Sequence, residues 1–229
     1  MPIFRLSRII DFPQPSLSMP DGLLAIGGDL SVERLLLAYK SGIFPWYTED
    51  DPILWWSPDP RMVLFTDEFH MSRRLERTIK QRVFDVRIDT AFSEVIRACG
   101  AKRTPRRTST WITDEMFEAY CALHQEGYAH SVESWQNGKL VGGLYGVSLG
   151  ACFFGESMFS DVSNASKVAA AALVRQVSRW NFPMIDSQIH NDHLASLGAR
   201  EIPRVEYLQR LQSALQHDTR KGVWTFDGW

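Results

Sequence analysis

The sequence predicts a mixed α+β (α/β) fold with a mostly antiparallel sheet. Three strand-like segments follow one another between residues 129 and 158, separated by turn signals at Asn137-Gly138 and Leu149-Gly150, which is typical of an antiparallel meander. A long apolar helix and one further strand come next, and we expect that strand to join the sheet of the meander. A chain of 229 residues, 45% of them hydrophobic, is long enough to bury a core in one or two domains.

The N-terminal quarter of the chain is rich in proline, glycine and aromatic residues and contains one clear helical pattern. Four apolar side chains recur there at the i, i+3, i+4, i+7 spacing of a helix: Val32, Leu35, Leu36 and Tyr39. We therefore expect a small N-terminal domain of irregular structure around one helix. A change in composition places the predicted division between residues 1–65 and residues 66–229.

The remainder of the chain has more regular patterns. Helical spacing of apolar residues predicts helices over residues 71–81, 92–99, 113–126, 165–180 and 205–215. Alternating patterns predict strands over residues 84–89, 129–135, 139–147, 151–158 and 184–189. Thr113 is suited to cap the third of these helices, and Ser163 or Asn164 is suited to cap the long fourth one.

The net charge of −2 hides an uneven distribution. Residues 61–107 contain twelve Lys/Arg and six Asp/Glu, so this stretch carries +6 and the rest of the chain carries −8. Two basic clusters account for most of the excess: Arg73, Arg74, Arg77, Lys80 and Arg82, and then Lys102, Arg103, Arg106 and Arg107. Local positive potential attracts nucleic-acid phosphates, but a solvated helix face followed by a charged loop explains the same charges equally well.

The sequence shows no feature of an exported or membrane protein. No apolar run approaches the roughly 20 residues that a membrane span requires, and the N-terminus lacks the pattern of a signal peptide. The three cysteines are widely spaced and form neither a CxxC pair nor a zinc-finger pattern. Free thiols in a reducing environment fit this pattern, and we expect a cytoplasmic protein.

The strand around Asp186 carries the most unusual side chains. Alternation places Asp186, Gln188 and His190 on one face of an otherwise apolar strand. Burial of an isolated charge is unfavourable, so these groups require partners. Two interpretations fit: a hydrogen-bond network that holds the next loop, or the polar floor of a site to which Glu156 on a neighbouring strand contributes.

Several common catalytic and binding motifs are missing from the polar segments. Residues 190–193 (HNDH) do not have the spacing of a helical zinc site and lack an obvious third ligand, so no metal is predicted. Residues 155–158 (GESM) lack the second glycine of a G-x-S-x-G elbow. The glycines of residues 142–146 lie within a strand and lack the Lys-Ser/Thr of a phosphate loop, so they predict a bulge or a close backbone approach.

Two of the eight tryptophans lie beside candidate functional segments. Trp46 follows Phe44-Pro45 in a loop, and Trp111 lies between the second basic cluster and the predicted cap Thr113. Aromatic side chains beside cationic patches can stack on nucleobases, a contact worth about 1–3 kcal/mol per base. Burial in the core, or between two lobes, explains these two tryptophans equally well.

At these same segments the chain resembles the bacterial leucyl/phenylalanyl-tRNA–protein transferase family. The matching stretches are individually long and occur in order: GLLAIGGDLS (22–31), GIFPWY (42–47), DPILWWSPDPR (51–61), TWIT (110–113), VGGLYGVSLG (141–150), FFGESMFS (153–160), NASK (164–167), IDSQ (185–188), NDHLASLGA (191–199) and EIPR (201–204). The resemblance implies a small N-terminal domain followed by a larger catalytic domain similar to the GNAT acetyltransferases.

The resemblance also implies an activity. Members of the family take Leu, Phe and, less well, Met from aminoacyl-tRNA and attach it to proteins whose N-terminal residue is Arg or Lys. The product is an N-degron that directs the protein to proteolysis. Because an aminoacyl ester is already activated, neither ATP nor a metal is needed, and we expect no cofactor.

Individual site residues follow from the positions that match the family's motifs. The resemblance implies that Asp186 and Gln188 are catalytic and that Trp46 and Trp111 hold the 3′-terminal adenosine. The other substrate-binding positions that we expect are Tyr39, Leu144, Phe153, Glu156, Ala170, Leu173, Val177 and Ile185. The first basic cluster is expected to contact the tRNA backbone.

The residue types suggest roles for the polar groups. Asp186 is expected to attract and orient the acceptor's α-ammonium or to act as its general base, with Gln188 linking Asp186 to the reacting groups. Orientation is favoured, because a carboxylate of ordinary acidity is a weak base for this proton. Glu156 or Asp186 is expected to bind the acceptor's basic side chain. Two competing interpretations account for fewer of these features. An acyl-CoA-dependent N-acetyltransferase requires a glycine-rich turn, and residues 160–164 contain no glycine. A degron adaptor without chemistry explains the carboxylates but not the adenosine-stacking tryptophans.

Overall fold

The computed structural model describes residues 3–101 and 112–229. In that part of the chain, seven α-helices and eleven strands in two sheets form a mixed α+β fold, which confirms the predicted fold class. The smaller sheet has the strand order β1-β2-β4-β3 and consists of β1 (Phe4–Leu6), β2 (Leu23–Gly27), β3 (Phe44–Pro45) and β4 (Leu54–Trp56).

The prediction of an irregular N-terminal part around one helix is right about the helix and wrong about its surroundings. Helix α1 (Val32–Lys40) forms as predicted and buries Leu35 and Tyr39. The strands of the smaller sheet have between two and five residues each. Such short strands produce no visible alternation in the sequence.

The larger sheet has seven strands in the order β11-β5-β10-β9-β8-β7-β6. They are β5 (Arg61–Phe65), β6 (Asp85–Ile88), β7 (Ala129–Gln136), β8 (Lys139–Leu149), β9 (Cys152–Ser160), β10 (Met184–Gln188) and β11 (Arg200–Ile202). Neighbouring strands are antiparallel except for β9 and β10, which are parallel. This confirms both the meander and the addition of the later strand to its sheet.

The predicted division between residues 1–65 and 66–229 does not coincide with the division between the two sheets. β5 lies on the N-terminal side of that division, yet it pairs with β10 and β11 in the larger sheet. All five residues of β5 are buried, so its sequence shows no alternation that would have identified it. By sheet membership the division falls before Arg61, and the separation into two domains stays a prediction.

The other helices lie close to their predicted positions, apart from the short α6, which was not predicted. They are α2 (Arg73–Lys80), α3 (Phe92–Gly100), α4 (Asp114–Gln125), α5 (Ala165–Arg179), α6 (Asp192–Ala195) and α7 (Arg204–Ala214). Thr113 caps α4, as predicted, by accepting a hydrogen bond from the Met116 N–H. Asn164 precedes α5 with a φ of 70° and makes no side-chain cap bond. In the described ranges no helix is both long and apolar enough to cross a membrane.

Two glycines of β8 lie close to neighbouring elements. A Cβ atom at Gly142 would clash with Ala165 at the start of α5. A Cβ atom at Gly143 would lie 2.8 Å from the Val132 carbonyl oxygen of β7 and in ordinary contact, at 3.5 Å, with Val95 of α3. Neighbouring residues of a strand face opposite sides, so α5 and α3 cover opposite faces of the sheet. The close backbone approach predicted for residues 142–146 is confirmed.

β9 and β10 separate after a short parallel contact. Their pairing runs from Met184 opposite Cys152 to Asp186 opposite Phe154. The register of β10 with β5 then shifts between Asp186 and Gln188, while β9 continues alongside β8. β9 and β10 are therefore paired only at their N-terminal ends. An opening forms within the larger sheet where the two strands separate.

Candidate active site

A cavity of about 610 Å³ occupies the opening between β9 and β10. Residues 155–160 of β9 form one side, and residues 187–189 at the end of β10 form another. α5 contributes Ala170, Leu173 and Val174 to the lining. A concave, mostly apolar site with a few polar groups is the usual form of a small-ligand site.

Most of the predicted apolar wall lines this cavity. The lining residues among those predicted are Leu144, Phe153, Ala170, Leu173 and Ile185. Val177 is not a lining residue: it is completely buried, and Val174 on the same stripe of α5 faces the cavity instead. The cavity thus ends within one helical turn of Val174. Val177 packs behind the residues that line the cavity instead of lining it.

Asp186 lies behind the cavity rather than in it. Its buried carboxylate forms a two-point ion pair with Arg61, from Nε to Oδ1 at 2.9 Å and from Nη2 to Oδ2 at 2.6 Å. The Tyr207 hydroxyl donates a further hydrogen bond to Oδ2 at 2.8 Å. Because its surface is covered and its charge is neutralised, Asp186 cannot touch an acceptor's α-ammonium here. Asp186 therefore makes no contact with the cavity in this structure, and its predicted catalytic role stays a prediction.

Arg61 is a site residue that the sequence did not reveal. It counts among the charges of the basic stretch, yet its side chain is completely buried. Its guanidinium lies 4.8 and 4.5 Å from the ring centroids of Phe44 and Tyr207 and donates to the Gly42 carbonyl at 3.1 Å. A buried ion pair requires such additional partners, because removing both charges from water is unfavourable.

Gln188 is a polar residue at the end of β10 that lines the cavity. Its φ of 58° lies in the left-handed region, which few non-glycine residues occupy. The Gln188 N–H donates to Asp186 Oδ1 at 3.0 Å, so Asp186 holds the bulge that turns Gln188 toward the cavity. The side-chain nitrogen of Gln188 is buried and has no hydrogen-bond partner among the described residues. Backbone strain together with an unsatisfied amide is typical of a functional site.

The bulge also breaks the predicted alternation. Ser187 lines the cavity together with Gln188, whereas His190 lies outside the strand on the surface, 3.2 Å from Asp192. Alternation would have placed Ser187 on the opposite face from Gln188. Within residues 3–101 and 112–229, no group of three or more His, Cys, Asp or Glu side chains is arranged to hold a metal ion.

Glu156 is a carboxylate that does lie in the cavity. Its Oε1 accepts from the Tyr39 hydroxyl and its Oε2 from the Tyr120 hydroxyl, both at 2.8 Å, and the two hydroxyls contact each other. Burial raises the pKa of Glu156 from 4.5 to about 7, against the opposing effect of these hydrogen bonds. Tyr39 does not line the cavity; it reaches from α1 to hold Glu156.

Two tyrosines of the site were missed by the sequence reasoning. Tyr120 of α4 and Tyr207 of α7 are both completely buried, and each donates its hydroxyl hydrogen bond to a carboxylate. A tyrosine on the apolar stripe of a helix was the available signal, because a buried hydroxyl needs a partner. The pattern does not identify that partner.

Trp46 lies at the mouth of the cavity. Its side chain is 40% exposed and meets Trp56 edge-on, with ring centroids 5.8 Å apart. An exposed ring is not a core residue, so the core interpretation does not apply to Trp46, and its stacking on a nucleobase stays a prediction. Trp111 and the second basic cluster lie outside the described residues.

The first basic cluster lies on α2 and the turn after it, and all five of its side chains are exposed. Arg74 Nη2 donates to Ser163 Oγ at 3.4 Å, in the loop that joins β9 to α5. Ser160 and Ser166, on either side of that loop, both line the cavity. Cationic surface therefore continues from α2 toward the cavity rim.

Comparison with protein families identifies the kind of protein that carries this site. A family model described as leucyl/phenylalanyl-tRNA protein transferase matches residues 63–212, and the model of the N-terminal domain matches residues 28–59. The chain belongs to the leucyl/phenylalanyl-tRNA–protein transferase family. It is accordingly an enzyme, an aminoacyltransferase of a family that moves aminoacyl groups from tRNA to proteins, as the resemblance implied.

Relatives in the transferase family match along nearly the whole chain. The leucyl/phenylalanyl-tRNA–protein transferase of Nitrosospira multiformis is 58% identical over 214 residues, which cover 93% of this chain and 91% of its own length. That of Anaeromyxobacter sp. (strain Fw109-5) is 55% identical over 227 residues, which cover 99% of this chain and 97% of its own length.

Solved structures match the transferase chain more distantly. A GCN5-related N-acetyltransferase-like protein from Streptococcus suis has a TM-score of 0.35 and 15% identity over 70% of this chain and 59% of its own. L-PGS from Bacillus licheniformis has a TM-score of 0.39 and 11% identity over 73% of this chain and 54% of its own. Similarities of this size add nothing to the fold described above.

Proposed function

We propose that this enzyme transfers Leu, Phe and, less well, Met from aminoacyl-tRNA to the N-terminal Arg or Lys of acceptor proteins. The new peptide bond creates an N-degron, a signal for proteolysis. The observation that carries the proposal is the composition of the cavity: α5 and β8 give it an apolar wall, and β9 places Glu156 in it. A hydrophobic aminoacyl group and a cationic peptide end fit these two parts.

The apolar wall supports the preference for the donor. Leu144, Phe153 and Leu173 offer only hydrocarbon surface to the aminoacyl side chain. A γ-branched or unbranched side chain fits such a wall, whereas β-branched Val or Ile crowds the entrance. A difference of one methylene between two substrates changes the free energy of recognition by only about 1–3 kcal/mol. We therefore expect the wall to favour Leu, Phe and Met to different degrees rather than to accept one of them alone.

The electrostatics of the cavity support a cationic acceptor. The Arg61–Asp186 pair is neutral as a unit, so Glu156 supplies the negative charge among the described lining residues. An N-terminal Arg or Lys brings two positive charges, one on its α-amine and one on its side chain. The apolar surroundings strengthen their attraction to the carboxylate.

The chemistry requires alignment more than activation, because the ester is already reactive. The acceptor nitrogen must meet the ester carbonyl, and the developing negative charge on the carbonyl oxygen must be stabilised. The unsatisfied amide of Gln188 is suited to hydrogen-bond the reacting groups. Asp186 then acts as a positioning residue, since it holds the main chain of Gln188 in its strained conformation.

We assign the recognition of tRNA to Trp46 and to the first basic cluster. Trp46 holds the terminal adenosine by stacking, and the exposed cations of α2 contact the phosphate backbone. The resemblance implies the same stacking role for Trp111, which lies outside the described residues. Backbone contacts position a nucleic acid but carry no sequence information, so we expect little dependence on the tRNA sequence. The charged tRNA that the reaction consumes is a cytoplasmic molecule, in agreement with the location expected from the sequence.

One competition assay tests the proposal. The enzyme is incubated with Leu-tRNA and acetyl-CoA carrying different labels, together with a peptide that begins with Arg or a matched peptide that begins with Ala. We expect the leucyl label on the Arg peptide, much less on the Ala peptide, and no acetyl label on either. Transfer of the acetyl label, or tight binding of the Arg peptide without any transfer, contradicts the proposal.

A further inference from the structure

The acceptor's α-ammonium must lose a proton before its nitrogen can attack. An α-amine has a pKa of about 7.7–8.0, so most of it is protonated near neutral pH. The described cavity lining offers three titratable groups, Glu156, Tyr145 and His193. Burial raises the pKa of Tyr145 well above its usual value, so this hydroxyl keeps its own proton. His193 is the weaker candidate of the remaining two. Its Nε2 is buried, and burial and the charge of Lys167 lower the pKa of its imidazole.

On the basis of the proposed function, we propose that Glu156 is the catalytic residue that accepts this proton. Tyr39 and Tyr120 each donate one hydrogen bond, to different oxygens of its carboxylate. A carboxylate oxygen can accept two hydrogen bonds, so each oxygen keeps a free position while the two donors fix its orientation. The buried carboxylate of Asp186 offers no such access, because Arg61 and its other partners cover it.

The step balances without a further reactant. The Glu156 carboxylate takes one proton from the α-ammonium, and the freed lone pair of the nitrogen attacks the ester carbonyl carbon and forms the C–N bond. The C–O bond to the ribose then breaks. The second proton of the nitrogen moves to the ribose oxygen, which leaves as a hydroxyl group, and Glu156 releases its proton to solvent.

The acidity of Glu156 suits this transfer. Its pKa of about 7 lies close to that of the α-amine. Proton transfer between two groups of similar pKa has a free-energy change close to zero. The charged groups that act on it from β10 and β5 are Asp186, which raises its pKa, and Arg61, which lowers it. These two groups form their own buried ion pair, with Arg61 Nη2 2.6 Å from Asp186 Oδ2.

The pH dependence of kcat/KM tests the role of Glu156. In the wild-type enzyme the reactive combination is an ionised Glu156 and a protonated amine, so we expect a bell with limbs near the two pKa values, about 7 and about 8. Glu156→Gln accepts no proton, so kcat/KM at pH 7 should fall about 10²-fold or more. The remaining rate should rise with pH through about 8 without a descending limb, because only the free amine reacts. An enzyme-free control corrects for hydrolysis of the ester.

A second pair of variants separates proton transfer from a structural effect. Tyr120→Phe keeps the Glu156 carboxylate but removes one of its donors, so the ascending limb should move up by about one pH unit. Tyr47→Phe is the matched control, because the Tyr47 hydroxyl donates to Glu115 of α4 at 3.2 Å and Glu115 is not a cavity residue. The limb should keep its position in this control.

Three results would overturn the assignment. One is a Glu156→Gln enzyme that keeps the bell and shows only a raised KM for the peptide, since this is the behaviour of a charge partner. Another is an unmoved limb in Tyr120→Phe, and the third is an equal movement in Tyr47→Phe. If Glu156→Gln does not fold, the two tyrosine variants decide. Absence of leucyl transfer by the wild-type enzyme at every pH is a different outcome, because it removes the proposed function itself.

Discussion

Asp186 and Glu156 are two carboxylates on neighbouring strands whose surroundings give them opposite properties. Asp186 is matched by the cation of Arg61, and the pair is completely buried. Glu156 is held by neutral hydroxyl groups and remains partly exposed to the cavity. A charge that is fully matched contributes to the fold, whereas a charge that is only partly matched stays available for a reaction.

Substitution of Asp186 should lower both stability and rate, whereas substitution of Gln188 should lower the rate without loss of stability. Asp186→Asn leaves the guanidinium of Arg61 without a countercharge, and we expect it to destabilise the fold by about 3–5 kcal/mol. Gln188→Gly removes the site amide but relieves the positive φ, so stability should be kept or should rise by about 1 kcal/mol. Urea unfolding and kcat measured on both variants check this, and an Asp186→Asn protein of wild-type stability would contradict it.

The ionisation of Glu156 should also be visible in the stability of the protein. Its pKa rises from 4.5 in the unfolded chain to about 7 in the folded protein, so the contribution of this group to stability is present below pH 4.5 and is lost as the pH rises to about 7. Each unit of pKa difference corresponds to about 1.4 kcal/mol. Glu156→Gln does not ionise, so its free energy of unfolding relative to wild type should be higher at pH 8 than at pH 5. Equal differences at the two pH values would exclude the raised pKa.

At the scale of single elements, α2 combines a small buried face with a large cationic one. Leu75 is its buried residue, while Arg73, Arg77 and Lys80 are exposed. Arg73→Glu with Arg77→Glu should therefore leave the fold intact and raise KM for aminoacyl-tRNA, with an effect that shrinks as salt is added.

The control for α2 makes the same change of charge beside the smaller sheet. Arg5 of β1 and Arg8, two residues after β1, are exposed. β1 lies at the opposite edge of that sheet from β3, the strand that precedes Trp46. Arg5→Glu with Arg8→Glu should raise KM much less. Equal effects of the two double variants would mean that total charge, rather than α2, attracts the tRNA.

The elements that could be predicted from the sequence are those whose pattern repeats. α5 and β8 contain several helical turns or strand repeats, so their periodicity is visible, whereas β3 and β11 have two and three residues. The residue types of the site were predictable through the resemblance. Their division into buried and accessible groups was not, because the partner of Arg61 is 125 residues away and the bulge at Gln188 leaves no periodic signal.

At the scale of the whole molecule, the last residues of the chain connect the larger sheet with α5. Trp224 stacks on His130 of β7 with ring centroids 3.6 Å apart. The main-chain N–H of Trp224 donates to Asp89 Oδ2 at 2.7 Å. Gln176 of α5 exchanges two hydrogen bonds with Asp227, at 2.6 and 3.0 Å. Residues 216–229 contain no helix or strand, so this connection had no periodic pattern in the sequence.

Removal of residues 223–229 should destabilise the protein and also weaken substrate binding. The ring centroids of Trp224 and Phe153 lie 6.1 Å apart, and the side chain of Phe153 lines the cavity. Residues 223–229 therefore support the apolar wall from behind. Loss of a buried tryptophan typically destabilises a fold by about 3–5 kcal/mol, and a loosened wall should raise KM for Leu-tRNA. Trp229→Ala is the control, because this side chain is 39% exposed and its loss should change stability by less than about 1 kcal/mol. Urea unfolding and KM decide: wild-type values for the truncated protein would show that the tail lies on the surface without supporting the site.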